Sequence, residues 1–254
     1  MKAMYRIALL AAVVALLGAS VPLRASEMDD RIESSARNSY IFATYLIGDD
    51  IKIQSKDGIV TLTGTVSEES HKSMAQETMA SLPGVKSVDN RLEVKGAPPT
   101  ANSDAWLSEK VKATLLFHRS VSPSTTEVYV KDGIVTLRGN AASEAQKELT
   151  TEYAKDVEGV KEVKNEMTVS EISKKTQMVG EMIDDASITA LVKITLLYHR
   201  STSALSTKVE TNKGVVTLYG KASNTAEKDL VTKLVNDIKG VKDVKNQMII
   251  GESK

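Results

Sequence analysis
Apolar residues recur along this chain at two periods, and the two periods alternate. Leu107, Val111 and Leu115 fall at i, i+4 and i+8, the stripe of an amphipathic helix. Ile188, Val192 and Leu196 repeat that stripe, and Ile32, Ala36 and Tyr40 hold the same places in an earlier segment. Each stripe is followed by a short run of strand character (Ile51, Ile53; Val128, Val130; Val209). The period then drops to two. Val60, Leu62, Gly64 and Val66 alternate onto one face, as do Val135, Leu137, Gly139 and Ala141. The Asp-Gly or Lys-Gly step between the two runs predicts a tight hairpin turn, with Gly58, Gly133 and Gly214 at positive φ.

A second helical segment comes next. Ser143 with Gln146, and Asn224 with Glu227, have the spacing of a capping box. Leu230, Leu234, Val235 and Ile238 give this helix an apolar stripe in the last copy. Gly84, Gly159 and Gly240 stop the helices. A final strand follows, with Val85, Val88, Leu92 and Val94 matched by Val160, Val163, Met167 and Val169. Asp29, Asp104 and Asp185 align at the start of the first helix, where they are expected to act as N-caps. The order is αββαβ, which predicts an α+β unit: two helices packed on one face of a small three-stranded mixed sheet.

The unit occurs three times. Asp57-Gly-Ile-Val-Thr-Leu-Thr-Gly64 returns as Asp132-Gly-Ile-Val-Thr-Leu-Arg-Gly139 and as Lys213-Gly-Val-Val-Thr-Leu-Tyr-Gly220. Gly84-Val-Lys-Ser-Val-Asp-Asn90 returns as Gly159-Val-Lys-Glu-Val-Lys-Asn165 and Gly240-Val-Lys-Asp-Val-Lys-Asn246. The two motifs are 26 residues apart in every copy, and the copies are offset by 75 and 81 residues. Units of this length hold their own small cores, so they read as three tandem domains and not as a short-period solenoid. The expected boundaries are 27–96, 103–171 and 184–254. A Pro-containing linker at 97–102 and a second linker at 172–183, without proline, join them. Freer motion is expected at the first joint than at the second.

Residues 1–25 contain no acid, carry Lys2 and Arg6, and hold the 12-residue apolar run IALLAAVVALLG from Ile7 to Gly18. That is the anatomy of a secretory signal peptide, with cleavage expected after residue 25 or 26 or, less well placed, after Ser20. An uncleaved membrane anchor is the alternative. The run is short for a permanent span. The mature protein is therefore expected in the periplasm and not as a lipoprotein, because the 254-residue chain has no cysteine. The missing cysteine also excludes disulfides, thiolate metal sites and a cysteine nucleophile, and three histidines give little for a metal. No cofactor is expected. Bases and acids number 33 each, so no global charge draws the chain to nucleic acid.

The Gly-Ile/Val-Val-Thr-Leu-x-Gly strand, followed 20 residues after its last glycine by Gly-Val-x-x-Val-x-Asn, resembles the BON domain family of periplasmic osmotically inducible and nodulation proteins. The resemblance covers nearly all of the mature chain, about residues 28–96, 103–171 and 184–252. It implies an αββαβ fold, a role in the envelope under osmotic stress, binding of phospholipid, and no catalytic motif. Well-known members carry two such units, and the lipoprotein members an acylated cysteine. This chain has three units and no cysteine.

Candidate functional residues are sparse. Gly58, Gly64, Gly84, Gly133, Gly139, Gly159, Gly214, Gly220 and Gly240, with Asn90, Asn165 and Asn246, read as turn and cap geometry before they read as a head-group cradle. His118-Arg119 and His199-Arg200 close the first helices of the second and third units. They either satisfy the last helical carbonyls or form an anion-binding corner with Lys112 and Lys193. The first unit has Ala43-Thr44 there. Trp106, Lys110 and Phe117 share a flank of one helix, with Tyr198 at the corresponding place in the third unit. Half-buried, they suit a membrane interface or a neighbouring domain. Residues 27–96 carry 8 bases against 12 acids, residues 97–171 carry 9 against 12, and residues 172–254 carry 13 against 9. The third unit thus either faces an anionic partner or docks on the acidic first two, or its surface is simply of mixed charge.

The expected function is a non-enzymatic periplasmic protein. Its expected partner is anionic phospholipid or the membrane surface, in support of envelope integrity under osmotic stress. The alternative is an adaptor or chaperone-like module for envelope proteins that uses sheet edges and three-fold avidity. No Ser/His/Asp set, HExxH or phosphate loop supports an enzyme.

Overall fold
Every unit is organised around its second strand. In the computed structural model, which describes residues 21–96, 99–170, 182–202 and 207–251, this strand is β2 (Ile59–Val66), β5 (Ile134–Ala141) or β9 (Val215–Ala222). On one side it pairs antiparallel with β1 (Asp50–Lys56), β4 (Thr126–Lys131) or β8 (Thr207–Asn212). On the other it pairs parallel with β3 (Ser87–Val94), with β6 and β7 (Glu162–Asn165, Thr168–Val169), or with β10 and β11 (Asp243–Asn246, Ile249–Ile250). A parallel neighbour requires a crossover, and α3 (Glu69–Ala80), α5 (Glu144–Lys155) and α7 (Thr225–Asn236) supply it. The first helices are α4 (Asp104–Phe117) and α6 (Asp185–Tyr198) in the second and third units. In the first unit, α1 (Val21–Arg37) precedes a separate short helix, α2 (Tyr40–Thr44). The predicted α+β class and αββαβ order thus hold in all three units. The inner side chains of the central strands, among them Val60, Leu62, Val66, Val135, Leu137, Val216 and Leu218, are fully buried under the helices.

The first helix of unit 1 departs from its single predicted stripe. Ile32 and Ala36 are buried on α1, but the helix ends at Arg37 and Tyr40 opens α2. Ser39 is extended and directs its hydroxyl at the Phe42 N–H. The aligned aspartates are also not the caps. Ser103 and Asp184 cap α4 and α6, and α1 begins eight residues before Asp29. The aspartates hold the hairpin turns instead. Asp104 accepts from Asp132 N (2.7 Å) and Gly133 N (2.9 Å). Asp29 accepts from Asp57 N (2.8 Å) and Gly58 N (3.0 Å), and Asp185 from Lys213 N (2.7 Å) and Gly214 N (2.8 Å). These N–H groups project because both turn residues are left-handed, with φ of 55° and 81° at Asp132-Gly133.

Two further devices repeat. Asn165 donates to Lys147 O (2.9 Å) and Thr151 Oγ1 (2.7 Å) on α5 and accepts from Met167 N (2.9 Å), stapling the last strand to the crossover helix. Asn90 and Asn246 make the corresponding bonds. The capping boxes form as predicted. Ser143 accepts from Gln146 N, and Gln146 Oε1 accepts from Ala142 N. Asn224 and Glu227 repeat the exchange with Ser223 N.

The units do not keep separate cores. Units 1 and 3 share one continuous apolar cluster, joined by Ala113 and Phe117 of α4, while the rest of unit 2 keeps a cluster of its own. Helix α6 runs through the shared cluster with 11 of its 14 residues buried, so most of its circumference is core and only the side carrying Lys193 and Leu197 reaches solvent. Residues 1–20, the linker residues 97–98 and residues 171–181 lie outside the described residues, and with them most of the expected leader and the second linker. Among the described residues no helix is long and apolar enough to cross a membrane.

Two outcomes follow. A Cβ at Gly139 would meet Thr125 O at 1.9 Å, at a φ of 112°. Gly139→Ala should therefore cost more than about 1 kcal/mol, measured by urea denaturation. The carboxyl of Asp104 is held below its ordinary pKa by Gly133 N and Asp132 N. A depressed pKa contributes stability above the unfolded value and loses it as pH falls through the folded one. Asp104→Asn should melt earlier at neutral pH and lose less on acidification below about pH 4, where the wild type loses this contribution.

Candidate functional site at the junction of the three units
The residues predicted to carry function converge where the units meet. Each of α4 and α6 ends in a histidine with an extended backbone: φ −82°, ψ 137° at His118 and φ −81°, ψ 126° at His199. The chain thereby turns out of the helix and pairs, antiparallel, with the other unit. His118 pairs with Ile238, and His199 with Val157. Arg119 N donates to Asp237 O (2.9 Å) and Lys239 N to Phe117 O (3.0 Å). In the other direction, Arg200 N donates to Asp156 O (2.9 Å) and Glu158 N to Tyr198 O (2.9 Å). Adding 81 to each residue of one half gives the other half. Units 2 and 3 thus form an isologous pair inside one chain.

The arginines complete the pairing. Arg200 donates to the carbonyls of Lys155, Val157 (3.2 Å) and Val160 (2.8 Å) at the end of α5. Arg119 donates to Asn236 O and Val241 O (2.9 Å) at the end of α7. A helix leaves its last carbonyls without intrahelical partners, and a cation there also meets the negative end of the helix dipole. The cations do satisfy helix ends, but the ends belong to the neighbouring unit.

Two aspartates sit beneath. Asp156 lies 3.5 Å from His199 Nε2, and that contact outweighs burial to hold its pKa low. At Asp237 burial works to raise the pKa, but His118, Ser120 and Tyr153 together outweigh it, and the pKa is lowered. Asp237 Oδ2 is 3.3 Å from His118 Nδ1 and accepts from the Tyr153 hydroxyl at 2.6 Å. The Tyr153 ring stacks on fully buried His118 at 3.8 Å.

Unit 1 joins differently. At the positions of Glu158 and Lys239 it has Pro83, which has no N–H to donate, and it lacks the His-Arg pair. It uses the other end of α6 instead. Asp184 caps that helix through Ser187 N (2.9 Å) and also accepts from Tyr40 N of α2 (2.7 Å). Glu77 on α3 pairs with Lys193 at 3.2 Å, and the Tyr45 ring meets Phe117 at 6.3 Å.

Phe117, His118, Tyr198, His199 and Lys110 are therefore buried, Trp106 and Lys193 half-buried, and Lys112 exposed, while Arg119 and Arg200 are exposed but engaged. Phe117 is not half-buried as its flank suggests, because the unit 1/unit 3 cluster covers it. A lipid face made of these residues would require the units to separate. The acidic partners Asp156 and Asp237 went unnoticed in the sequence, although Asp-Val and Asp-Ile recur in the same two copies as His-Arg. Beside the joint, α3, α4 and α6 enclose a cavity of about 320 Å³, lined by Glu69, Trp106, Glu109, Lys110, Glu158 and Tyr198 among others.

Each sheet leaves its second face open. In unit 1 that face alternates Lys52, Lys56 and Arg91 with Asp50, Asp89 and Glu93, and in unit 2 Lys131, Arg138 and Lys164 with Glu127, Glu162 and Glu166. Unit 3 differs. Lys208, Lys221 and Lys245 face only Glu210 and Asp243. Gln247 replaces Glu166, the turn carries Lys213 where the other units have aspartate, and Ile249, paired with Lys221, is 61% exposed.

The αββαβ units, their hairpin glycines and their strand asparagines define a class, and the family comparison agrees. The BON domain model matches residues 28–96, 103–171 and 184–252, so the chain belongs to the BON domain family. Osmotically-inducible protein Y of Escherichia coli K12 is 33% identical over 145 residues, covering 57% of this chain and 71% of that one. The 21 kDa hemolysin of Actinobacillus pleuropneumoniae is 32% identical over 117 residues, 46% of this chain and 58% of its own length. Among solved structures, CdsD, a structural protein of the type III secretion system of Chlamydia trachomatis, aligns over 88% of this chain and 91% of its own at 17% identity, with a TM-score of 0.25. That score is too low to carry an argument.

The joint should be acid-labile. Asp237 has a lowered pKa, so its contribution is present at neutral pH and lost as pH falls through its folded value, below the usual carboxylate range near pH 4. Small-angle scattering should show units 2 and 3 parting on acidification. Asp237→Asn should loosen them already at pH 7 and flatten the acid transition, and an unchanged transition would contradict the assignment.

Proposed function
We propose that this protein is a non-enzymatic component of the periplasm that adsorbs to anionic phospholipid surfaces and supports the envelope under osmotic stress. Family membership and the osmotically inducible relative support the setting. The observation that carries the membrane reading is the open sheet face of unit 3, with its excess of lysines around exposed Ile249. Lys208 is paired with Glu210 at 2.6 Å, so the excess of base on this face is small, and at about 1 kcal/mol per base near an anionic bilayer it gives binding that is weak, reversible and sensitive to salt. That suits a surface that must attach without inserting.

A second reading, an adaptor for envelope proteins, rests on the sheets' outer strands. β1, β4 and β8 each pair on one side only, which leaves an edge for a partner strand.

Liposome flotation of the mature protein separates the two. The expected result is flotation with anionic vesicles at low salt, weakened at physiological salt and absent with neutral lipid. The triple replacement Lys208→Gln, Lys221→Gln and Lys245→Gln should abolish it, while Arg200→Ala, at the joint, should not. No flotation at low salt, or a triple variant that floats like wild type, would sink the membrane reading and favour the adaptor.

A further inference from the structure
Two side chains of opposite charge, Lys110 and Glu109, line the open cleft between α3, α4 and α6. Lys110 is only 9% exposed, yet its ammonium makes no ion pair among the described residues. It rests 3.6 Å from the centroid of the Trp106 ring and 5.1 Å from that of Tyr198. Ring faces attract the charge but accept none of its hydrogen bonds in the way an oxygen does. On the same cavity wall, Glu109 Oε2 is buried with no donor. Burial raises the pKa of Glu109, helped by Glu68 and Glu69, while the Glu69 N–H and Lys112 only partly offset it; burial lowers that of Lys110, and the nearby charge of Glu158 only partly offsets that. Each group thus sits where its charge is poorly solvated.

The charges around the cavity narrow the ligand. A plain anion would satisfy Lys110 but face Glu69, Glu109 and Glu158. A plain cation would suit the carboxylates but leave Lys110 without an acceptor and be repelled by it. A molecule with both charges answers both demands, and aromatic walls favour an alkylated ammonium. The volume, about 320 Å³, is at the small end of ligand pockets. We infer that this cavity binds a small zwitterion, its carboxylate on Lys110 and its ammonium against Glu109 and the Tyr198 ring. The site exists only when all three units are docked, and it is independent of the sheet face assigned to the membrane.

Trp106 is the chain's only tryptophan, so its emission reports on this cavity. The mature protein would be titrated at constant ionic strength with glycine betaine, with choline (the ammonium without the carboxylate) and with acetate (the carboxylate without the ammonium). The expected result is a saturable change with betaine, and binding at least about tenfold weaker for the other two, the worth of one charge-assisted hydrogen bond. Calorimetry should show Lys110→Met and Glu109→Gln each weakening betaine by a similar factor, with Lys164→Met, on the outer sheet face of unit 2, unchanged. Scattering curves identical to wild type would show that the variants remain docked. Choline or acetate binding as tightly as betaine would overturn the inference. So would a response that rises linearly without saturating, or both cavity variants binding like wild type.

Discussion
The whole molecule depends on how two helix ends are finished. An α-helix leaves its last carbonyls open, and a small domain cannot bury that end without partners for them. Units 2 and 3 solve the problem for each other. Arg200 fills the end of α5 and Arg119 the end of α7, while the extended residues behind them pair backbone to backbone. The exchange is directional and stereospecific, so it fixes orientation in a way that apolar contact alone would not. Once it is made, α6 lies between units 1 and 2, and the burial of most of its surface becomes possible. Unit 1 then needs only the cap at Asp184, the Glu77–Lys193 pair and an apolar face to dock.

Inside each unit, the most repeated polar residues are architectural. The aspartate of the first helix clamps the hairpin turn, and the strand asparagine ties the last strand to the crossover helix. The aspartate clamps span 28 or 29 residues, and the asparagine amides reach the helix across 14 or 18 while their oxygens accept from the N–H two residues on. A residue already committed on two sides has little left for a ligand. Thus the motifs that identify the family identify how it folds. The chemistry that distinguishes this chain lies where its three copies differ.

This division explains what was legible in the sequence. Strand alternation, helix stripes and capping boxes are set within four residues, and each was readable from its own neighbourhood. Asp104 was readable as the start of a helix, but its clamp reaches Gly133, 29 positions away, and looks like a cap from nearby. The break before Tyr40 was hidden because Ile32, Ala36 and Tyr40 keep the spacing of one continuous stripe. His118 and Arg119 stood out by repetition, but the repetition could not say whether they face lipid or another domain. The answer lay in a correlation: Asp156 and Asp237, with N–H donors after them, occur in the same two units, and Pro83 stands in the third. The apolar residues of α6 between Ile188 and Leu197, broken only by Thr189, Lys193 and Thr195, exceed a single stripe and were themselves a sign of burial on more than one side.

The pseudo-symmetry also shows where it fails, and that failure has a chemical content. The flank of α6 that meets unit 1 presents Ser187, Ala190 and Leu191, small or apolar residues suited to close helix packing. The equivalent positions on α4 are Trp106, Glu109 and Lys110. Packing alone would favour the first set in both places, because burying an ammonium costs solvation and a buried carboxylate oxygen without a donor opposes folding. Two units that repeat the same backbone pairing and arginine contacts at their joint thus diverge beside it, toward a more polar arrangement. Buried charge of that kind, confined to one of two equivalent sites, is what a binding site looks like when it is built into a symmetric scaffold.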